Sequence, residues 1–180
     1  MTTVNSINTY IVPTAANEVT MPSQPCFLGI LAVAVNTITG NGTVYLLGDT
    51  DLGAALTEKF DQNADFNPGT SAGAIFTAPV SGRYFLTSKV TFKAVTAAMT
   101  LNNCAIHTSN IYHLYPLCNP GSFRDTSNYT TLSTAVVADM DAADTAVIEL
   151  QIDFGAGDTA GVHGWNNSVD NTSFGGSLLC

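Results

Sequence analysis

The chain has 180 residues and a mass of 18.8 kDa, the size of one ordinary domain. Hydrophobic residues make up 46% of it and charged residues 11%, which excludes intrinsic disorder, since a disordered chain is poor in apolar side chains and rich in charge. Lys and Arg number 5 against 14 Asp and Glu, a formal charge of −9. That leaves no basic footprint for nucleic acid and none for docking on an anionic membrane. The polar surface must be built from Thr, Ser and Asn, a texture typical of β-rich extracellular or virion proteins.

Residues 1–25 hold Pro13, Pro22 and Pro25, one charged residue (Glu18), and a short apolar stretch at Tyr10, Ile11 and Val12. They read as an extended arm outside the domain proper, which occupies residues 26–180. The start, Met1-Thr2-Thr3-Val4-Asn5-Ser6, has neither the basic residue nor the apolar stretch of a secretory signal, so general export is not expected. The longest apolar run, Cys26 to Val35, falls short of the roughly 20 residues of a membrane span. It predicts a buried strand and no membrane insertion. The run is apolar at successive positions, whereas a sandwich strand keeps one wet face. The closing stretch Ser173–Cys180 is likewise apolar or small throughout. Two such strands predict a symmetric assembly with a dry interface, for which Phe27, Ile30, Ala32, Ala34, Phe174 and Leu178 are the candidate contacts.

Leu52, Ala55, Leu56 and Phe60 have helical spacing after a possible cap at Asp51, consistent with one helical turn in a loop. Everything else reads as strand: 27–36, 43–47, 74–77, 82–93, 98–108, 111–117, 129–138, 145–154, 161–165 and 173–179 are rich in Val, Ile, Thr, Phe and Tyr. Turn formers such as Gly40-Asn41-Gly42, Ser109-Asn110 and Asn119-Pro120-Gly121 separate them. After Gly82, residues Tyr84, Leu86, Ser88, Val90 and Phe92 share one face; Thr87, Lys89, Thr91 and Lys93 share the other, with Phe85 the exception. About ten short antiparallel strands at this spacing predict an all-β jelly-roll sandwich.

The segment Phe60–Phe85, FDQNADFNPGTSAGAIFTAPVSGRYF, resembles the signature of the complement C1q-like globular head, part of the tumour-necrosis-factor-like superfamily. Its core is Phe76-Thr77-Ala78-Pro79-Val80-Ser81-Gly82-Arg83-Tyr84, and the closing Phe174-Gly175-Gly176-Ser177-Leu178-Leu179 resembles the family's last strand. Ala143-Asp144-Thr145-Ala146-Val147 stands where the family has a Gly-Asp turn, with Ala143 departing from the Gly. The resemblance spans residues 26–180 and implies a jelly roll that assembles as a homotrimer, with first and last strands adjacent. It also implies that Cys26 lies near Cys180, as a disulfide or a close contact. Without the resemblance, the four cysteines (Cys26, Cys104, Cys118, Cys180) read as free or buried thiols. The Lys-poor, Thr- and Asn-rich texture and the absence of a collagen-like stalk resemble the bacterial and bacteriophage members more than the animal ones.

No nucleophile elbow, phosphate loop or metal-ligand spacing is present, so no catalytic residue, metal or cofactor is expected. Gly155–Gly161 reads as a surface loop. His107 should oppose Tyr112 and His113 should oppose Ile106 across the Ser109-Asn110 turn, which places the two histidines on opposite faces. Asp139, Asp141 and Asp144 read as a solvated acidic turn. Chance explains the Asn-x-Ser/Thr acceptors in a chain so rich in Asn and Thr. The function expected from all this is structural: a trimeric head on a virion surface, as a capsid decoration, head-fibre or tail-appendage protein, held to a capsid or fibre protein through residues 1–25. Asn110, Arg124 and Trp165 are the candidate contacts to a host surface glycan or protein, since exposed aromatics and Arg make good anchors. The alternatives are a secreted bacterial adhesin or spore-surface protein with the same head, and, more remotely, a glycan-degrading enzyme.

Overall fold

A computed structural model of the protein describes residues 12–13, 19–20, 23–39, 41–50, 53–114, 119–153, 159–166 and 168–180. Within them the β-branched and aromatic stretches form fifteen strands and one short helix. β1 (Val12–Pro13) and β2 (Val19–Thr20) pair only with each other. The front sheet has seven strands: β3 (Cys26–Ile30), β4 (Val35–Thr39), β6 (Thr57–Gln62), β9 (Gly82–Lys93), β12 (Thr130–Met140), β14 (Thr159–Val162) and β15 (Ser173–Leu178). Its order is β4-β14-β9-β15-β3-β6, with β12 along the other edge of β9. The back sheet has six: β5 (Asn41–Leu46), β7 (Phe66–Thr70), β8 (Gly73–Thr77), β10 (Leu101–Thr108), β11 (Tyr112–Leu114) and β13 (Thr145–Asp153), ordered β11-β10-β13-β8-β7 with β5 also on β13. All the pairings are antiparallel. This is the all-β jelly-roll sandwich expected. The first strand of the domain, β3, lies beside the last, β15, as the resemblance implied.

An aromatic cluster ties the two sheets together. Phe27 of β3 stacks on Phe66 of β7 at 4.7 Å and on Phe76 of β8 at 4.5 Å, and meets Phe174 of β15 edge-on at 5.0 Å. Phe76 also packs on Tyr84 of β9. Offset and edge-on contacts of this kind add about 0.5–1.5 kcal/mol per pair beyond the area that the rings bury. Along β9 Tyr84, Leu86, Ser88, Val90 and Phe92 are buried, the face that the alternation predicts; Thr91 of the other face is buried as well, and Phe85 joins that outward face.

The Phe76–Tyr84 motif makes the corner where the chain crosses from β8 in the back sheet to β9 in the front. The Tyr84 hydroxyl donates to the Val80 carbonyl at 2.8 Å, closing the corner on itself. Ala78 is buried and bonded through its backbone to Asp144 and Ala143. A Cβ on Gly82 would sit 2.7 Å from the Cys180 carbonyl oxygen, so glycine there lets the chain end pack against β9.

Several elements differ from the sequence expectation. The run 26–35 is not one strand: β3 stops at Ile30 because its partner β15 stops there too, and the chain resumes as β4 against β14. Thr57–Gln62 and Phe66–Thr70 were not foreseen as strands; β6 is charged and exposed, as an edge strand tends to be, and carries no apolar alternation. Of the helical turn expected near Leu52–Phe60, the described part shows 3-10 backbone at Thr50, whose carbonyl accepts the Gly53 N–H at 2.9 Å, while Phe60 lies in β6; Asp51 and Leu52 lie outside the described residues. Helix α1 (Pro120–Phe123) forms instead at the Asn119-Pro120-Gly121 turn, where proline's fixed φ suits a helix start. Most of the arm and of the Gly155–Gly161 loop also lies outside the described residues. Residues 23–25 belong with the domain: Leu178 N–H donates to the Pro25 carbonyl and Asn63 Nδ2 to the Ser23 carbonyl.

Phe27→Ala should lower the unfolding free energy by about 3–5 kcal/mol, the usual loss for a buried Phe, measured from denaturant midpoints. A loss below about 1 kcal/mol would show that the aromatic cluster does not hold the sheets together.

Candidate interaction surfaces

The outward face of the front sheet follows from register. Leu28 opposes Phe60 on one side and Gly175 on the other, Gly175 opposes Thr87, and Thr87 opposes Ala135, so these five form one row across the sheet. The next row runs Cys26, Ser177, Phe85 and Val137. Phe60, Phe85 and Val137 are 45%, 40% and 56% exposed, large apolar side chains on a surface otherwise made of Thr and Ser. Polar groups border them. At one end Arg83 opposes Asp139; at the other Lys89 Nζ lies 3.1 Å from Asp170 Oδ2, and the Thr91 and Thr131 hydroxyls bond at 2.9 Å. An apolar centre inside a polar rim is the anatomy of a protein–protein contact.

This face is not made of the residues expected for it. Phe27 and Phe174 point into the sandwich core, Leu178 packs partly against that core, and Ile30 is buried within the chain. Ala32 and Ala34 are half-buried in the link between β3 and β4. Apolarity at successive positions hides which parity faces inward; the aromatic cluster claims Phe27, and Leu28 is left outside.

The three candidate receptor contacts divide between the two ends of the sandwich. Asn110 sits at the end where the chain leaves the domain: its Nδ2 donates to Asp144 Oδ2 at 2.6 Å, and the same carboxylate accepts the Asp141 N–H. The acidic turn is thus partly capped by its own backbone. Cys180 lies at this end, where its carbonyl accepts the Arg83 N–H. Trp165 lies at the other end, where the His163 N–H donates to the Thr91 carbonyl. Arg83 and Thr91 are eight residues apart on β9, about 27 Å at roughly 3.3 Å per residue.

Contacts connect Arg124 and Trp165 at that far end. Arg124 Nε donates to Asn128 Oδ1 at 3.1 Å, the neighbouring Tyr129 ring lies 4.9 Å from the His163 ring, and His163 meets the Trp165 ring edge-on at 5.8 Å. The root of the loop is fixed. Buried Thr172 donates through Oγ1 to the His163 carbonyl at 2.9 Å and accepts the Thr91 N–H at 3.1 Å. A Cβ on Gly164 would lie 2.7 Å from the Leu31 and Val33 carbonyl oxygens. Trp165 therefore stands 65% exposed on a rigid base. Burial, then the nearby Lys93 charge, holds the His163 pKa below its ordinary 6.5. Tyr129 and His163 were not singled out from the sequence, because only the fold brings the β11–β12 and β14–β15 connections together. The other two histidines sit as the spacing predicts, His107 opposite Tyr112 and His113 opposite Ile106.

Cys26, Cys104 and Cys180 are free thiols, so of the disulfide or close contact that the resemblance implied for Cys26 and Cys180 the disulfide is not formed. The strands are adjacent, but register pairs Cys26 with Ser177, three residues short of Cys180. Cys104 is buried, and burial pushes its thiol pKa up to about 11. Cys118 lies outside the described residues.

No protein-family model matches the sequence, and none of the curated proteins is significantly similar to it. Solved structures do match. The globular domain of zebrafish complement 1qA superposes with a TM-score of 0.52 at 16% identity, covering 87% of this chain and 98% of that one. Murine APRIL at pH 8.0 gives 0.49 at 14% identity, covering 87% and 99%. The superposition on the complement 1qA domain gives the chain a C1q-like jelly-roll fold.

Two outcomes follow. His163 should titrate below 6.5 in a histidine NMR titration. Its neutral form is favoured in the folded state, so its contribution to stability is present above about pH 6.5 and is lost as the pH falls through the lower folded pKa; a value above 6.5 would contradict the burial of the ring. In the native protein a thiol reagent should modify exposed Cys180 readily and buried Cys104 only after unfolding. Cys104 labelling as fast as Cys180 would contradict that placement.

Proposed function

We propose that this chain is a non-enzymatic surface head that assembles as a homotrimer through the outward face of its front sheet. The band formed by exposed Phe60, Phe85 and Val137, with half-buried Leu28 beside Phe60, carries the reading. Covering a few hundred square ångströms of apolar surface per subunit is worth several kcal/mol, at about 25 cal/mol per Å². That exceeds the repulsion between subunits of charge −9, which salt largely screens. A three-fold assembly is also what the resemblance to C1q-like heads implies.

The two ends of the sandwich then divide the work. The chain enters and leaves the domain at one end, where residues 23–25 and Cys180 lie. The expected arm, shortened to residues 1–22 because 23–25 belong with the domain, holds the head to a capsid or fibre protein, and the far end, with Arg124 and Trp165, lies away from where the chain enters the domain. The Thr- and Asn-rich, acidic composition favours a virion surface, as a capsid decoration, head-fibre or tail-appendage protein.

Sedimentation of the full chain should give three times 18.8 kDa, about 56 kDa. Joint substitution Phe85→Asp and Val137→Asp, which puts unpaired charge at the centre of the contact, should give folded single chains of 18.8 kDa. A double variant that still sediments as the unsubstituted chain would place the contact elsewhere, and an unsubstituted chain of 18.8 kDa would refute the assembly.

A further inference from the structure

Trp165 is an exposed ring on a hydrogen-bonded, closely packed base. A Trp that served packing would turn its flat face inward; among the described residues its ring contact is the edge-on one with His163, at 70° between ring planes. The face that remains open is rigid, apolar and slightly negative. Beside it stand the Asn166 amide and, next to His163, the Lys93 charge. Exposed Asn166 accepts the Ser168 N–H through Oδ1, which leaves its amide N–H2 as the donor it can offer. Arg124 has five N–H groups, of which Nε goes to Asn128 and one Nη to the Gly121 carbonyl.

We propose that this end of the domain binds a neutral glycan, with one pyranose ring seated on Trp165 and hydrogen bonds supplied by the Asn166 and Arg124 side. The inference rests on the reading of the chain as a surface head and names the ligand class of its far end. A sugar ring presents a row of C–H groups, slightly positive, on one face and hydroxyls around its rim; the first suits the negative face of an indole, and the second suits the Asn166 amide next to the ring and the Arg124 guanidinium, which stands beyond His163 and Tyr129 at the same end. Pre-fixing the ring removes most of the ordering cost that weak ligands cannot offset. The −9 charge disfavours an acidic polysaccharide or a nucleic acid at long range, and Lys89 is already paired with Asp170. A protein hot spot would sit at the centre of a broad desolvated apolar patch. On this molecule such a patch is the front-sheet face, not the neighbourhood of Trp165.

Trp165 is the only tryptophan in the chain, so intrinsic fluorescence reports on this site alone. Maltohexaose, cellohexaose and chitohexaose, titrated separately into the full chain, should give a saturable change in that emission with at least one of them. Calorimetry should show Trp165→Ala weakening that binding at least about tenfold and Trp165→Phe, which keeps a ring, weakening it less. An unchanged melting temperature would confirm that both variants fold. No saturable change with any of the three sugars overturns the proposal, and so does an Ala variant that binds as well as the original. Preference for an acidic hexasaccharide, or a Trp165 response to peptides and to none of the sugars, overturns it as well. Sedimentation of the same samples separates the two readings. A trimer that binds no sugar sinks this inference and leaves the assembly standing, whereas a single chain that binds sugar through Trp165 supports the inference without the assembly.

Discussion

The structure depends on where Phe27 goes. Its ring is shared between the sheets, stacked on Phe66 and Phe76 from the back and edge-on to Phe174 from the front. Side chains in a strand alternate between faces, so fixing one residue inward fixes all its neighbours. With Phe27 and Phe174 committed to the core, Leu28 and Gly175 must face out, and register aligns them with Phe60, Thr87 and Ala135. The apolar outer face is thus a consequence of the core packing.

The same constraint orders the ends of the molecule. β3 beside β15 brings the start and finish of the domain together, and the Tyr84–Val80 hydrogen bond holds the neighbouring corner. The opposite end carries Arg124 and Trp165. Two networks make that end firm: Thr172 with Thr91 and His163, and Asp125, whose carboxylate accepts the Ser127 and Tyr129 N–H groups. A loop fixed in this way can present a large exposed aromatic ring without it collapsing onto the sheet. Assembly through the sheet face and recognition at the far end would use separate surfaces of one domain.

Much of this was legible from the residues. The period-two pattern of β9 placed Tyr84, Leu86, Ser88, Val90 and Phe92 inside, and the spacing around Ser109-Asn110 placed His107 and His113 on opposite faces, as the register shows. The motif from Phe76 to Tyr84 marked the fold, because its corner requires a glycine beside the chain end and a tyrosine reaching back. The charged edge strand β6 was missed, since an edge strand need not alternate. The parity of β3 was equally hidden: the ten apolar or small residues from Cys26 to Val35 carry no phase, and only the partner rings decide it. Adjacency of β3 and β15 was readable, but the three-residue offset that keeps Cys26 from Cys180 is a matter of register. Tyr129 beside His163 joins two connections distant in sequence, and no local pattern announces it.

The central claim is that the outer face of the front sheet is covered by other copies of the chain. Hydroxyl-radical footprinting of the native protein tests it residue by residue, because oxidation follows the exposure of each aromatic ring in the assembly that exists in solution. In the single chain Phe60 and Phe85 are 45% and 40% exposed, and Phe123 is 73% exposed. The account predicts that Phe123 and Trp165 are oxidised rapidly while Phe60 and Phe85 are protected, and that dissociating the assembly by dilution or mild denaturant exposes them. Phe60 and Phe85 reacting in the native protein as fast as their single-chain exposure allows would contradict it.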